Sequence, residues 1–293
     1  MAVVFGAVLV LAGVGVAAVR NGGPDSAAQR GSPSTSPASP SASGSTTPAA
    51  AASPSPSLTP LAVGPADVDV DITGWYAWAV MDQRTGKIYG SRNMAETSTT
   101  ASLIKSWLAS DYLRRATERG QTPSDTRMSQ IRSMIRDSAN TPAQTLWTEL
   151  AEQDSIARMI SICKLTDSAA ASDGWSRTRL SPRDITRLGT CIDSGRAAGP
   201  KWTTWLLGEM RAVRGVGDTG IRNAFPTSMR KTIAIKNGWI TRDAEREYHV
   251  NCLAIGDGWT MGVMVRYPFG GGRGYDYGFD VCESVARQLR TDS

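Results

Sequence analysis

Serine, lysine and asparagine residues stand in three short motifs that follow one another along the chain. They are the S-x-x-K of Ser102 and Lys105, the S-x-N of Ser138 and Asn140, and the K-x-G of Lys236, Asn237 and Gly238. A serine hydroxyl becomes a nucleophile when a neighbouring amine of lowered pKa takes its proton. The motifs together therefore predict acyl transfer through a covalent serine intermediate.

Each motif is unspecific by itself, and its setting gives it weight. S-x-x-K occurs again at Ser161–Lys164 and at Ser228–Lys231. Only Ser102 follows two strand-like stretches, opens an amphipathic helix, and is followed after 36 residues by the S-x-N motif and after a further 98 by the K-x-G motif. This order selects Ser102 as the candidate nucleophile.

The first motif predicts a nucleophile and its base. Ser102 at a helix N-terminus would have its hydroxyl near unpaired backbone N–H groups and the positive end of the helix dipole, which stabilise a developing oxyanion. Lys105 lies on the same helix face and can accept the hydroxyl proton if burial and a second cation lower its pKa. Lys236 is the candidate for that second cation.

The other two motifs predict proton relay and substrate binding. We expect Ser138 to pass a proton to the leaving group and Asn140 to hold a substrate amide. The strand with Lys236 would add main-chain hydrogen bonds to an extended peptide, with the N–H of Trp239 as an oxyanion donor. Gly238 would allow the substrate backbone to approach closely.

The elements that must position these motifs have the pattern of a mixed α and β domain. Apolar periodicity predicts a hairpin, a helical middle, three late strands and a last helix. The predicted strands are 76–81, 87–90, 232–239, 248–255 and 261–267, and the first and last helices are 102–118 and 280–290. Strands at both ends with helices between them predict an α+β fold, an antiparallel sheet with a helical layer inserted.

Local signals mark helix faces and helix starts. Ile104, Leu108 and Tyr112 share one face of the first helix, at the spacing of a buried stripe. Thr141 and Ser181 each precede a proline and stand three residues before a capping-box partner, so each is predicted to cap a helix.

The chain divides by composition into three unequal parts. Residues 1–19 carry no charged side chain and would span roughly 29 Å as a helix, so we expect a membrane anchor or a signal peptide. Residues 20–66, rich in Pro, Ser and Ala, are expected to form a disordered tether. Residues 67–293 suffice for one folded domain outside the cell membrane, either anchored or secreted.

Four cysteines and one histidine limit the other chemistries. The cysteines permit three pairings, of which Cys163 with Cys191 and Cys252 with Cys282 would join neighbouring elements of an exported domain. Their spacing does not suggest zinc, and we expect neither a metal nor a cofactor. A Ser-His-Asp alternative would have to use His249, for which a place near the surface of a strand is the simpler interpretation.

The formal net charge of +5 comes from basic residues scattered along the chain. They are not interleaved with aromatic residues as in a nucleic-acid groove, so the charge predicts a solvated surface that favours anionic wall polymers over nucleic acid. The glycine cluster at 270–274 lacks the ending of a P-loop and is expected to connect a strand to the final helix. We expect a monomer.

Residues 76–289 resemble the β-lactamase and penicillin-binding-protein superfamily, and within it the class A β-lactamase-like serine hydrolases of actinobacteria. The resemblance rests on the three ordered motifs and on their surroundings at 100–102, 178–184 and 236–239. It implies an exported protein with a three-layer αβα fold, an all-α subdomain, and an acyl-enzyme on Ser102.

Two motifs depart from the class A pattern. Ala139 stands where class A enzymes usually have Asp. Asn237 stands where a Thr or Ser hydroxyl usually binds the substrate carboxylate, and its amide is expected to donate instead. The short interval between Ser102 and Ser138 implies a reduced helical subdomain and a more open cleft.

The segment 166–175, where the resemblance implies a deacylating Glu, contains none, and Asp173 has the character of a turn residue beside Gly174. Without a positioned base, an acyl-enzyme is expected to persist. The leading hypothesis is a membrane-tethered serine acyl-enzyme acting on a cell-wall peptide in the manner of a D,D-peptidase. The alternatives are a true β-lactamase that hydrolyses β-lactams, a degenerate domain that binds wall peptides without reacting, and a scaffold for protein contacts.

Overall fold

The computed structural model describes residues 61, 64, 66–170 and 173–290 of the 293-residue chain. The predicted N-terminal anchor or signal peptide and nearly all of the predicted tether lie outside these residues. Within the described part of the chain, no helix combines the length and the apolar character needed to cross a membrane. Leu61, near the end of the predicted tether, is buried and forms a β-bridge with Arg290.

Strands occur at the two ends of the described domain, and most of the helices lie between them. The strands are β1 (Trp75–Asp82), β2 (Ile88–Gly90), β3 (Ser98–Thr99), β4 (Arg179–Leu180), β5 (Ala234–Ile235), β6 (Gly238–Arg242), β7 (Glu247–Gly256) and β8 (Trp259–Pro268). The α-helices are α1 (Lys105–Glu118), α2 (Asp125–Arg136), α3 (Asn140–Glu149), α4 (Gln153–Cys163), α5 (Pro182–Asp193), α6 (Pro200–Arg211), α7 (Thr227–Arg230) and α8 (Tyr275–Gln288).

One antiparallel sheet joins the two ends of the domain. Strands β2, β1, β8 and β7 lie side by side in that order, and β5 and β6 both pair with β7. Strand β1 pairs with β8 along its whole length, from Trp75 opposite Arg266 to Asp82 opposite Trp259. The predicted sheet, assembled from distant parts of the chain, is confirmed, and so is the hairpin of β1 and β2.

The predicted continuous strand 232–239 is wrong. It is divided into β5 and β6, with Lys236 and Asn237 between them. The Lys236 N–H still donates to the Leu253 carbonyl of β7 at 3.1 Å, so the chain keeps its place beside β7 through the interruption. At this interruption the Asn237 side chain bonds to a loop outside the sheet.

Helices cover both faces of the sheet. Gly262 of β8 lies against α5, where an added Cβ would meet Ile185 at 2.7 Å, and Gly278 of α8 lies against β7, where an added Cβ would meet Val250 at 2.6 Å. Val250 is paired with Val265, and paired residues lie on the same face of a sheet. Val265 is three positions from Gly262 on β8, and side chains an odd number of positions apart on one strand point to opposite faces. Helices α5 and α8 therefore cover opposite faces, which gives the predicted three-layer αβα arrangement.

A helical subdomain is built around α1. This helix contacts α2, α3, α4, α5 and α6. In the stripe predicted from the sequence, Ile104 and Leu108 are fully buried and Tyr112 is partly buried against the core. The stripe is confirmed, and it fixes the helix that follows the candidate nucleophile.

One of the two predicted helix caps is confirmed. The Ser181 hydroxyl accepts a hydrogen bond from the Asp184 N–H at 3.0 Å at the start of α5. The cap predicted at Thr141 is wrong, because α3 already begins at Asn140 and has no side-chain cap. Ser138, two residues before the start of α3, has a φ of 58°, in the left-handed region.

The last helix begins at Tyr275, five residues before the predicted start at 280. Tyr275 and Tyr277 belong to its first turn, where the Tyr275 ring contacts Tyr248 edge-on at 5.4 Å between centroids. The glycine cluster at 270–274 connects β8 to this helix, as predicted.

Two disulfides tie helices to their neighbours. Cys163 at the end of α4 is bonded to Cys191 of α5, and Cys252 of β7 is bonded to Cys282 of α8. This is the pairing of neighbouring elements favoured from the sequence. The second bond holds α8 against its face of the sheet.

Candidate active site

Ser102, Ser138 and Asn140 of the first two motifs meet at one cleft of about 410 Å³, which Trp239, the residue after the third motif, also lines. Its walls are formed by Ala101, Ser102, Asp137, Ser138, Asn140, Trp175, Ser176, Trp239, Ile240 and Tyr275. The cleft therefore lies between the turn before α1, the start of α3, and the outer edge of β6.

Ser102 stands in a tight 3-10 turn, Ala101–Ile104, immediately before α1. Ala101 has a φ of 48°, a left-handed conformation that costs free energy in any residue with a side chain. Ser102 is 9% exposed and lines the cleft. The prediction that the α-helix begins at Ser102 is wrong, because the chain winds as a 3-10 turn first and the α-helix begins at Lys105.

Gly238 brings β6 directly against this turn. A Cβ at Gly238 would lie 2.3 Å from the Thr100 carbonyl oxygen, 2.5 Å from the Leu103 nitrogen and 2.7 Å from the Ser102 nitrogen. No side chain fits in that space. The close approach that the sequence predicted for a substrate is made in this structure by the turn that carries Ser102.

Lys105 projects from the first turn of α1 into a buried polar site. Its Nζ donates to the backbone carbonyl of Ser138, to Asn140 Oδ1 at 2.7 Å and to Ser138 Oγ at 3.3 Å. The residue is fully buried. Burial lowers the pKa of Lys105 to about 7, because the charged amine loses its hydration.

Lys236 reaches the same hydroxyl from the sheet. Its Nζ donates to Ser138 Oγ at 3.1 Å and to the Asn237 carbonyl at 2.9 Å. Burial, and then the charge of Lys105, hold the pKa of Lys236 well below its ordinary value. A second amine therefore lies beside the first, as predicted, but the charge of Lys105 disfavours the charged form of Lys236, and burial alone accounts for the lowered pKa of Lys105.

Ser138 stands between the two amines at the cleft surface. Its oxygen accepts from Lys105 and from Lys236, and a hydroxyl in that position keeps one hydrogen to donate. Asn140 accepts from Lys105 through Oδ1, which leaves its amide nitrogen available to the cleft that it lines. The two residues of the S-x-N motif thus separate a buried amine from the space in which a substrate would lie.

Trp239 presents its N–H toward the cleft. In an antiparallel pair of strands, hydrogen-bonded and non-hydrogen-bonded residue pairs alternate. The Lys236 N–H donates to the Leu253 carbonyl, so Lys236 and Leu253 form a hydrogen-bonded pair. Trp239, three positions later and opposite Val250, therefore belongs to a non-hydrogen-bonded pair. Its N–H points away from β7, and β6 has no second strand partner in the described part of the chain. An extended peptide could pair with this edge.

Asn237 does not offer its amide to a substrate, and that prediction is wrong. Its Nδ2 donates to the Gly217 carbonyl at 3.1 Å and to the Thr219 carbonyl at 2.8 Å, which uses both hydrogens. The residue is 1% exposed. Its amide instead fastens the loop that carries Gly217 to the strand that carries the K-x-G motif.

Trp175 is the main residue of the cleft that the motifs did not reveal. Its ring centroid lies 4.9 Å from Lys105 Nζ, and its Nε1–H donates to Gln144 Oε1 at 3.2 Å. The one local signal is a large aromatic residue directly after Gly174, in a segment otherwise made of small and polar residues. Tyr275 of α8 also lines the cleft, and no sequence pattern pointed to it.

Among the residues that the structure describes, one carboxylate, that of Asp137, lines the cleft, and an arginine pairs with it. Arg214 donates through both Nε and Nη2 to the Asp137 carboxylate, and this pair lowers the pKa of Asp137. The negative charge of Asp137, next to Ser138, is therefore balanced by Arg214.

The carboxylates of segment 166–184 are used by the fold. Asp167 accepts from Ser181 Oγ at 2.6 Å and from Arg183, and Asp184 accepts from two backbone N–H groups of the same segment. Asp173 forms an ion pair with Arg177 at 2.9 Å and is more than half exposed, in keeping with a turn residue. Among the described residues of this segment, only Trp175 and Ser176 line the cleft.

His249 is buried, and the expectation of a place near the surface is wrong. Its Nδ1 lies 2.9 Å from Thr99 Oγ1, and the residue is 6% exposed. Burial and the neighbouring arginines, first Arg242, lower the pKa of His249 to about 3. It does not line the cleft, and its two ring nitrogens lie against Thr99 and Glu247.

Comparison with known proteins gives structural neighbours only. No protein-family model and no curated protein matches the chain. A class A β-lactamase from Mycobacterium abscessus matches with a TM-score of 0.57 and 14% identity, over 74% of this chain and 93% of that chain. A β-lactamase from Streptosporangium roseum matches with a TM-score of 0.57 and 16% identity, over 74% and 92%.

An ancestral class A β-lactamase matches with a TM-score of 0.56 and 18% identity, over 74% of this chain and 93% of that chain. These likenesses show that the protein has the fold of the class A β-lactamases. The fold implied by the ordered motifs is therefore confirmed.

Proposed function

We propose that the protein is a β-lactamase-like serine acyl-enzyme that acts on cell-wall peptides in the manner of a D,D-peptidase, with Ser102 as the nucleophile. The observation that carries this proposal is the pair of buried amines, Lys105 and Lys236, that share the Ser138 hydroxyl beside the cleft. Two buried amines next to each other cost stability, and pKa values perturbed in this way are concentrated at catalytic sites.

In the first step, uncharged Lys105 takes the proton of the Ser102 hydroxyl while the oxygen attacks the carbonyl carbon of the scissile amide. The oxyanion that forms accepts hydrogen bonds from the Trp239 N–H and from the turn that carries Ser102. The C–N bond then breaks, and the leaving amine receives a proton through Ser138. The products of this half-reaction are an ester on Ser102 and a free amine.

In the second step, water attacks the ester carbon. The acyl group leaves as a carboxylic acid, and the Ser102 oxygen regains a proton. The described carboxylates of segment 166–184 are bound elsewhere in the fold, which supports a slow second step with β-lactams. This feature favours the D,D-peptidase-like function over an efficient β-lactamase.

The cleft is suited to an extended peptide. The free edge of β6 offers main-chain groups at Trp239, and the Asn140 amide nitrogen can donate to a substrate carbonyl. An anchor in residues 1–19 and a tether through residues 20–66 would hold the domain near the wall. That part of the proposal rests on the sequence, as does export.

The test supplies the full-length protein with a synthetic wall peptide that ends in D-Ala-D-Ala and measures released D-alanine. Ser102→Ala should abolish the release. Ser161→Ala is the matched control, because Ser161 begins another S-x-x-K but is exposed on α4, and it should retain full activity.

A chromogenic cephalosporin is tested in parallel. Rapid, repeated hydrolysis that depends on Ser102 would identify a true β-lactamase instead. No reaction with either compound would contradict the proposal and favour a domain that only binds.

A further inference from the structure

Trp175 lies over the amine on which the proposed chemistry depends. Its ring centroid is 4.9 Å from Lys105 Nζ. Lys105 is fully buried and does not line the cleft, whereas Trp175, Ser138 and Asn140 do. These three residues therefore stand between the amine and the cleft, and the indole is by far the largest of them.

The fold holds this indole in place independently of Lys105. The indole N–H donates to Gln144 of α3, and the Trp175 carbonyl accepts from the Thr178 N–H at 3.2 Å. The next carbonyl, of Ser176, accepts from Arg242 of β6 at 2.8 Å. The ring is thus anchored to the helical subdomain and its backbone to the sheet.

We propose that Trp175 is a positioning residue that excludes water from the Lys105 amine, so that Lys105 can act as the base for Ser102 near neutral pH. The proposal rests on the proposed function for its catalytic meaning, and on the structure for the cover itself.

The Trp175 ring affects the pKa of Lys105 in two opposing ways. An aromatic face attracts an ammonium ion, which favours the charged form and raises a lysine pKa by up to about 1.5 pH units. Loss of hydration disfavours the charged form and lowers a lysine pKa by up to about 3–5 pH units when burial is complete. The second contribution is larger, and burial is the cause of the lowered pKa of Lys105.

Other charges act on the same amine and stay in place when Trp175 is changed. Lys236 shares the Ser138 hydroxyl with Lys105. Asp137, the carboxylate of the cleft wall, is paired with Arg214. A substitution of Trp175 therefore measures how much the indole ring alone contributes to the pKa of Lys105.

The test measures the titration of Lys105 in the full-length protein by NMR, with lysine labelled with carbon-13 at Cε. The Lys105 signal is assigned with Lys105→Arg. In Trp175→Ala, water reaches the amine, and the pKa of Lys105 should rise by at least one pH unit, a tenfold change in the ratio of charged to uncharged amine. In Trp175→Leu, the apolar cover remains and the attraction of the ring is lost, so the pKa should not rise.

The matched control is Trp202→Ala. Trp202 lies over Lys201 with 5.1 Å between Nζ and ring centroid, and its indole N–H also donates to a side-chain oxygen, that of Thr117. It is on α6, away from the cleft, so its removal should leave the titration of Lys105 unchanged. Gln144→Leu, which keeps the ring and releases its N–H, should raise the pKa of Lys105 by less than Trp175→Ala does.

An unchanged pKa of Lys105 in Trp175→Ala would overturn the proposal, and so would an equal rise in Trp175→Ala and Trp175→Leu. Because the titration is read in the resting protein, it needs no acyl donor. If the pKa of Lys105 responds as expected but no acyl donor reacts with Ser102, the proposed function fails, while the exclusion of water from Lys105 by Trp175 is still demonstrated. If Ser102 reacts, the midpoint of the acylation rate against pH should move upward in Trp175→Ala alone.

Discussion

Replacing Gly238 with alanine tests how the strand and the nucleophile turn depend on each other. The added Cβ would meet three backbone atoms, with the shortest distance 2.3 Å, whereas ordinary contact begins at 3.4 Å. These atoms belong to backbone, which cannot move aside as a flexible side chain does. The strand and the turn that carries Ser102 must therefore separate by about 1 Å.

A displacement of about 1 Å in an active site lowers the reaction rate about 100-fold, and overpacking costs about 1–3 kcal/mol. For Gly238→Ala we expect the acylation rate constant to fall about 100-fold and Tm to fall by about 4–8 °C, corresponding to about 2 kcal/mol in a domain of this size. The rate is measured by intact mass after mixing with a β-lactam, and Tm by circular dichroism.

Gly208→Ala provides the matched control. Gly208 lies in α6, and an added Cβ there would have nothing within 4 Å. This variant should keep its acylation rate and gain up to about 1 kcal/mol from improved helix propensity. If Gly238→Ala acylates within threefold of the unchanged protein and melts at the same temperature, the packing argument is refuted.

Three further predictions follow from the buried groups. Because Lys105 must lose its proton to act as a base and its pKa is about 7, the acylation rate should rise about tenfold per pH unit below pH 7 and level off above pH 8; a rate constant flat from pH 5 to 9 would contradict this. Replacing both Cys252 and Cys282 with alanine opens a loop of 30 residues and should lower the free energy of unfolding by about 3–4 kcal/mol in a urea titration, and a loss below about 1 kcal/mol would count against it. Asp184→Asn removes a fully buried carboxylate that accepts from Arg187 and from two backbone N–H groups, so it should cost about 3 kcal/mol by the same measurement, with a cost near zero as the contrary result.

The sequence was informative wherever a local period or a motif order determined the structure. The apolar face of α1 follows from the spacing of its residues, and the cap at Ser181 follows from its own side chain and the N–H three residues on. The order of the three motifs also predicted that Lys105, Ser138 and Lys236 lie together, because the expected chemistry needs all three.

Contacts between distant residues were not predictable in this way. Asn237 turns away from the cleft because carbonyls of Gly217 and Thr219 accept its amide, and no local pattern encodes that loop contact. Trp175 lies over an amine 70 positions earlier in the chain, so its neighbourhood gives only the signal of a turn.

The start of α8 shows the same limit. The residues Tyr275 and Tyr277 have no helical pattern of their own, and their rings pack against Tyr248 and Tyr267 of the sheet. Packing against the sheet, rather than local propensity, therefore sets where this helix begins.

The central claim is that Ser102 becomes covalently acylated, and intact mass after incubation of the full-length protein with benzylpenicillin measures this most directly. We predict an added mass equal to the whole antibiotic, located on Ser102 by peptide mapping, persistent over time, absent in Ser102→Ala and present in Ser161→Ala. An adduct on another residue, or an unmodified protein with the antibiotic intact at every pH from 6 to 9, would contradict the account.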